Sequence, residues 1–347
     1  MAVDAFDYTL PEASVAQVPV EPRDSARLLD ATDPSGALRH RIVRDLPELI
    51  RPGDVLVLNE TRVLPARLLL NKATGGAVEI LLLEEGADGW WETLVRPGRR
   101  LAEGTLLHLD ATPVAEVGPG SSVMHLEPTP VAEVGPRLPD GRRSVRLLDP
   151  SLPSRAGVMP LPPYITTALA DPERYQTVYG SRPGSAAAPT AGLHLTFDLL
   201  DRCREAGAEV AKVDLSVGLD TFRPVTAERP EDHVMHSERY SVPESTWKTC
   251  QNAERVVAVG TTTVRALEAA WSSGEGEGRT RLFITPGYSF GVVDVMMTNF
   301  HLPRSSLLLM LAAFCGPRWR DVYAEALRSG YRFLSFGDAM IASRAPA

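Results

Sequence analysis

A change of texture in the middle of the chain constrains the fold most. From about Arg67 to Pro150 no helical period of useful length occurs. Short apolar runs at Ala77–Leu83, Trp90–Arg96, Thr105–Leu109 and Ser144–Leu148 alternate with Gly, Pro and Asp turns. That is the pattern of a small antiparallel barrel or sandwich. On either side, helices and strands alternate at short intervals, which favours an α/β layer architecture. A β-rich module at 67–150 is therefore expected inside a discontinuous α/β domain of 1–66 and 151–347. The module holds an exact repeat, Thr112–Pro119 and Thr129–Pro136. Two copies are too few for a solenoid, and the repeat is read as a duplication lengthening a surface hairpin.

In the flanking regions, Asp54–Leu58, the alternating stretch Ala211–Leu219, Arg255–Val259, Arg281–Thr285 and Tyr331–Phe336 are expected strands. Expected helices are Phe197–Ala206, capped by Thr196 and stopped by Gly207, then Thr263–Trp271, and Arg318–Arg328. Trp271–Thr280 reads as a flexible loop. The segment Val293–Gly316 is the richest. A strand-like run breaks at Thr298-Asn299-Phe300-His301, a serine pair caps an apolar helix, and Gly316 ends it. Sites are often built at such corners. The bland alternative is a corner whose His and Asn satisfy local backbone.

The net charge of −8 argues against sequence-blind coating of nucleic acid but leaves a local basic face open. Arg96, Arg99 and Arg100, and again Arg137, Arg142, Arg143 and Arg146, form such clusters, or equally solvated loops. Cys203, Cys250 and Cys315 make no CxxC pair, which speaks against a zinc ribbon or redox pair and fits a reducing cytoplasm. The amino-terminal residues lack a signal-peptide core, and the apolar run Leu307–Cys315 is too short to span a bilayer. A cytoplasmic protein without membrane association is expected. No GxGxxG after a strand and no P-loop is present.

Three constellations could carry chemistry, beside a polar cluster, Asn59-Glu60-Thr61-Arg62, that ends the strand at Asp54–Leu58. In Val259–Arg265 a strand ends in glycine, three threonines follow and a helix begins. Free N–H groups and the positive helix end there suit a carboxylate or phosphate, or a threonine simply caps the helix. In Ala188–His194 small residues would let a ligand approach, and His194 could be an acid, a base or a structural group. Asp232–Glu238 holds two histidines and two acids, but no helical HExxH and no third ligand at a telling spacing, so no metal is expected.

Read in order, the motifs carry a family resemblance. They are GDVLVLNETRVLPARL at Gly53–Leu68, MPLPPYI at Met159–Ile165, PTAGLH at Pro189–His194 and DHVMHSE at Asp232–Glu238. VGTTTVRALE at Val259–Glu268, TNFHLP at Thr298–Pro303 and YRFLSFGDAM at Tyr331–Met340 follow. From about Phe6 to Met340 the chain closely resembles the S-adenosylmethionine:tRNA ribosyltransferase-isomerase family of queuosine biosynthesis. The resemblance implies a mixed-sheet α/β domain with an inserted small antiparallel β-barrel domain. It implies S-adenosylmethionine as a substrate that gives up its ribosyl group. The acceptor is 7-aminomethyl-7-deazaguanine in a tRNA anticodon, and the product is epoxyqueuosine-tRNA with adenine and methionine released. It also implies a monomer.

Such chemistry needs a base and an acid in a site that excludes water. His194, His236 and His301 are the neutral-pH groups within the matched motifs and are the expected catalytic residues. Asn59, Thr61 and Asn299 are expected to bind ribose hydroxyls or the base edge. Thr261, Thr262 and Arg265 are expected to hold the methionine carboxylate. Arg62, Thr190, Gly192 and Asp338, in the same motifs, complete the expected binding set. The chain departs from the family pattern at Ser216, where a His is usual, and at Asp220, where a Gly is usual. A diverged member using S-adenosylmethionine on a small acceptor, or rearranging it without tRNA, is the alternative. A non-catalytic RNA-binding relative is a third reading.

Overall fold

The computed structural model describes residues 2–98, 101–109, 129–138, 141–218, 225, 227–233, 235 and 237–346. The chain forms two compact units, Met1–Arg62 with Leu161–Ala347, and Val63–Pro160. The strands β1 (Arg27–Ala31), β2 (Arg39–Ile42) and β3 (Asp54–Asn59) come first, then the short β4 (Thr61–Val63). The second unit contributes β5 (Arg67–Lys72), β6 (Ala77–Glu85), β7 (Trp90–Arg96), β8 (Leu106–His108), β9 (Ala132–Arg137), β10 (Arg143–Leu147) and the helix α1 (Leu152–Ala156). The chain then returns through β11 (Arg182–Ser185), α2 (Phe197–Glu205), β12 (Glu209–Leu215), β13 (Glu238–Ser241) and α3 (Glu244–Asn252). It continues through β14 (Arg255–Val259), α4 (Thr261–Ser273), β15 (Glu277–Thr280) and β16 (Val295–Asn299). It closes with α5 (Ser306–Cys315), α6 (Trp319–Arg328) and β17 (Ala339–Ser343).

The first unit is built on a nine-stranded sheet in the order β15-β13-β12-β3-β14-β16-β17-β1-β2. Its centre, β12, β3, β14 and β16, is parallel, while β17 runs antiparallel to β16, so the sheet is mixed. Central parallel strands are covered on both faces, which is why β3 and β16 are buried at every residue and read as continuous apolar runs. Alternate side chains feed two cores. Val55, Val57, Ala258 and Met296 pack with residues of α4 and α5. Leu56, Leu58, Val257 and Met297 pack with Leu199, Leu200 and Cys203 of α2. The parallel strands all end at one edge, which places Asn59, Val259 and Asn299 together in the fold.

Caps fix where the helices start. Thr196 Oγ1 accepts the Leu199 N–H at 3.0 Å and Ser305 Oγ accepts that of Leu308 at 3.2 Å, each contributing about 1 kcal/mol. Helix α4 begins two residues before the expected Thr263, and its N-cap is Gly260 at φ 90°, not a threonine. Thr263 Oγ1 instead donates back to the Val259 carbonyl at 2.6 Å. Three further expectations fail. Trp271–Thr280 is not a loop throughout, since α4 runs to Ser273 and Glu277–Thr280 pairs with β13. Arg281–Thr285 is not a strand. Tyr331–Phe336 is irregular, and the closing strand is Ala339–Ser343.

The second unit holds a closed six-stranded barrel, β10-β7-β6-β5-β8-β9, with antiparallel neighbours. The second copy of the repeat forms β9 with Ala132 and Val134 fully buried. This copy is a wall of the barrel; the first copy lies outside the described residues, so the expected lengthening of a surface hairpin lies outside them too. Arg143, counted above in a basic cluster, is 6% exposed and donates to the carbonyls of Gly135 and Leu101. Arg142 is paired with Glu92. Arg99 and Arg100 lie outside the described residues. Among the described residues no helix is long and apolar enough to cross a membrane. Nor, among them, are three or more His, Cys, Asp or Glu side chains grouped to hold a metal ion.

Candidate active site

In open α/β sheets, ligands bind beyond the carboxyl ends of the parallel strands. Here that edge carries a cleft of about 350 Å³ lined by Thr190, Val217, Gly260, Thr261, Thr298 and His301, among others. A second cleft of about 320 Å³ shares Thr190, Asn299 and His301 with it and adds Tyr164 and Leu334. A third, of about 250 Å³, opens on His194.

Gly260 turns the chain from β14 into α4 with φ 90°, a conformation that disfavours any side chain. The turn leaves the amides of Thr261 and Thr262 without intrahelical acceptors, at the positive end of the helix. Both residues line the 350 Å³ cleft. Thr262 Oγ1 accepts from Asn59 Nδ2 at 3.1 Å. Asn59 is fully buried and fully used. Its Nδ2 also donates to the Leu215 carbonyl, and its Oδ1 accepts the N–H groups of Thr61 and Leu215. Asn59 and Thr61 therefore fix the ends of β3 and β12 and the first turn of α4.

At the end of β16, Asn299 joins two loops. Its Oδ1 accepts from Thr190 Oγ1 at 2.9 Å, and its Nδ2 faces His194 Nε2 at 3.2 Å and the Asp338 carbonyl at 3.3 Å. The carbonyl can only accept, so the amide nitrogen must point toward it. His194 Nε2 is then the acceptor and its proton sits on Nδ1. Burial first, and the Arg332 charge second, lower the His194 pKa to about 4. His301 is 6% exposed, with Nε2 at 3.1 Å from Thr298 Oγ1. Burial alone lowers its pKa to about 3. Both imidazoles are neutral at pH 7 and can accept protons.

The loop that presents His301 is held rigidly. The His301 N–H donates to Tyr323 Oη at 2.8 Å, and Tyr8 Oη donates to the His301 carbonyl. Phe300 stacks on Phe333 at 4.8 Å between ring centroids and meets Tyr323 edge-on. Leu334, at φ 70°, borders the same cleft, a backbone strain that the aromatic packing around it sustains.

The remaining expected residues are placed as follows. Arg265 lines none of the three clefts; its Nη1 pairs with Glu238, whose other oxygen accepts the Gly218 N–H, while its Nη2 is buried with no hydrogen-bond partner among the described residues. Arg62 makes a two-pronged ion pair with Glu173 at the surface. Asp338 accepts the main-chain N–H groups of Arg27 and Arg332, so it anchors the segment leading into β17. A Cβ on Gly192 would lie 2.0 Å from Tyr179 Oη, so glycine there admits Tyr179 rather than a ligand. His236 and Asp220 lie outside the described residues. Ser216 is half-buried, next to the cleft residue Val217, and donates its N–H to the Arg239 carbonyl. Sequence reasoning missed Tyr164, Ser335 and the arginines beside His194. Ser335 and Arg332 lie within the YRFLSFGDAM motif, which was their only signal.

The sequence model of the family described as queuosine biosynthesis protein matches residues 3–342. An S-adenosylmethionine:tRNA ribosyltransferase-isomerase of Rubrobacter xylanophilus is 50% identical over 343 residues, covering 98% of this chain and 97% of that protein. One from Thermus thermophilus is 50% identical over 353 residues, covering 98% and 99%. The crystal structure of S-adenosylmethionine tRNA ribosyltransferase from Thermotoga maritima matches with a TM-score of 0.54 at 35% identity, covering 97% of this chain and 99% of that one. The chain belongs to the queuosine biosynthesis protein family.

Proposed function

We propose that this protein transfers and isomerises the ribosyl moiety of S-adenosylmethionine onto 7-aminomethyl-7-deazaguanine in tRNA, giving epoxyqueuosine-tRNA, adenine and methionine. The observation that carries the reading is a cleft with a free helix amino end on one wall and the neutral imidazole of His301 on another. Half identity over nearly the full length of relatives named for this reaction supports it.

The sulfonium of the donor makes its C5′ protons acidic, and a neutral imidazole can take one. His301 is in the cleft and His194 is joined to it through Asn299, so these two are assigned the proton transfers, with His236 the third candidate. The amides of Thr261 and Thr262 would bind the methionine carboxylate by hydrogen bonds and the helix field. Arg265 steadies that helix through Glu238. Thr190 and Asn299 border the space left for the ribose. Asn59, Thr61, Gly192 and Asp338 act on the ligand through the loops they position, and Arg62 through its surface pair. The reading includes a monomer in the cytoplasm and a catalytic domain of 1–66 with 151–347.

The test is adenine release from S-adenosylmethionine, with and without tRNA carrying the deazaguanine precursor. Release that requires this tRNA, and is lost in His301→Gln, supports the reading. Equal release without tRNA would replace it with a small-molecule rearrangement.

A further inference from the structure

The cleft beside His194 has walls built from Arg23, Arg174 and Arg332, with Ser335 and Phe336. Guanidiniums converging on one small cleft repel one another unless negative charge is brought in. Glu21, Asp171 and Glu173 offset part of the charge at Arg23, although Glu173 is itself paired with Arg62. Glu21 pairs with Arg174, but its side chain is 68% exposed. Asp338 stands 3.8 Å from Arg332 Nε and already accepts two main-chain N–H groups. Arg23 uses Nη1 on the carbonyls of Gln176 and Leu193 and makes no ion pair among the described residues. Arg332 Nη1 donates to the Val18 carbonyl at 3.1 Å, whereas its Nη2 is buried with no hydrogen-bond partner among the described residues. A buried cationic donor without an acceptor is costly, so it marks a place for an anion.

The charges make themselves felt nearby. Burial and then Arg174 lower the pKa of Arg23, and all three guanidiniums help to keep the His194 imidazole neutral. The His194–Asn299 pair stands between this cleft and the two others, because Asn299 borders those and His194 borders this one.

We propose that Arg23, Arg174 and Arg332 form an oxyanion subsite that takes a phosphodiester of the RNA acceptor, across the His194–Asn299 pair from the amino end of α4. The subsite rests on the tRNA reading given above. A donor carboxylate is the other source of an oxyanion, but the α4 amides in a different cleft already suit it. Forked guanidinium donors match the two non-bridging oxygens of a phosphodiester. An anion seated here would oppose the field that weakens His194 as a base, so docked RNA would strengthen that base only when the acceptor is present.

The test compares full-length wild type, Arg332→Ala, Arg332→Lys and Arg174→Ala. It measures tRNA affinity across a potassium chloride series and S-adenosylmethionine affinity by calorimetry. Loss of one phosphate contact should weaken tRNA binding about tenfold and reduce the slope of log affinity against log salt by about 1. Arg332→Lys should fall between, with S-adenosylmethionine affinity within about twofold of wild type throughout. Unchanged tRNA affinity and slope in both Arg332→Ala and Arg174→Ala would overturn the subsite. So would weaker S-adenosylmethionine binding with tRNA binding intact, which assigns the arginines to the donor carboxylate. If Arg332→Ala does not fold, Arg332→Lys and Arg174→Ala decide by the same criteria. Wild type that releases no adenine with tRNA removes the functional reading, whereas wild-type turnover with tRNA binding unaltered in the variants removes the subsite alone.

Discussion

Asn299 Nδ2 lies 3.2 Å from His194 Nε2, so a side chain at the end of β16 sets the tautomer of an imidazole 105 residues earlier in the chain. Asn299→Asp tests this. An oxygen would replace the donor facing both the imidazole and the Asp338 carbonyl. The imidazole must then supply the proton, so His194 titrates at higher pH and is a charged, spent base more of the time. Turnover at pH 7 should fall about 100-fold, and the pH–rate profile should shift to higher pH. A profile unchanged in shape would contradict the assignment of His194.

Both buried histidines make the fold sensitive to acid. Their folded-state pKa values, about 4 for His194 and about 3 for His301, lie below the ordinary 6.5. Between those values and 6.5 the unfolded chain binds more protons than the folded one, so stability falls as pH drops through that window. The urea midpoint should be clearly lower at pH 5 than at pH 7. His301→Gln should remove part of that difference. An equal pH dependence in variant and wild type would count against a neutral, buried His301.

Glu268, fully buried in α4, accepts the N–H groups of Gly291, Val292 and Val293 and the hydroxyl of Tyr288. It staples the loop that leads into β16. Glu268→Gln turns one acceptor into a donor against these donors and should destabilise by about 3 kcal/mol. Urea denaturation measures this, and a change below about 0.5 kcal/mol, ordinary for a surface site, would remove the staple.

Much of this architecture is legible in the sequence, for physical reasons. Strands β3, β14 and β16 are covered on both faces and so appear as unbroken apolar runs. The caps at Thr196 and Ser305 are local interactions and were readable as such. Tyr331–Phe336 misled because its aromatics alternate, yet they pack around Phe300 and Tyr323 instead of pairing, and Leu334 turns to φ 70°. Strand β15 was hidden because its pairing with β13 uses backbone groups that Gly and Glu side chains do not advertise. At the site, the motifs named His194, Asn299 and His301, of which Asn299 faces His194 and shares a cleft with His301. They could not reveal that Asn59 is saturated or that Arg265 is taken by Glu238, since both depend on partners far along the chain.

Gly192 and Tyr179 form a coupled pair. Gly192→Ala would press a methyl to 2.0 Å from Tyr179 Oη and should destabilise by about 2 kcal/mol. Tyr179 Oη has no hydrogen-bond partner among the described residues, so Tyr179→Phe should be nearly neutral. The double variant should recover part of the loss. Denaturation of all four proteins closes the cycle, and strict additivity would show that the two do not meet.

The most direct test of the central claim follows the atoms of the donor. S-adenosylmethionine labelled on the ribose carbons in one sample and on the methyl carbon in another is turned over with precursor tRNA, and the modified nucleoside is weighed by mass spectrometry. Ribose label in the nucleoside, with the methyl label leaving in methionine, is the predicted result. Methyl label in the nucleoside would contradict it.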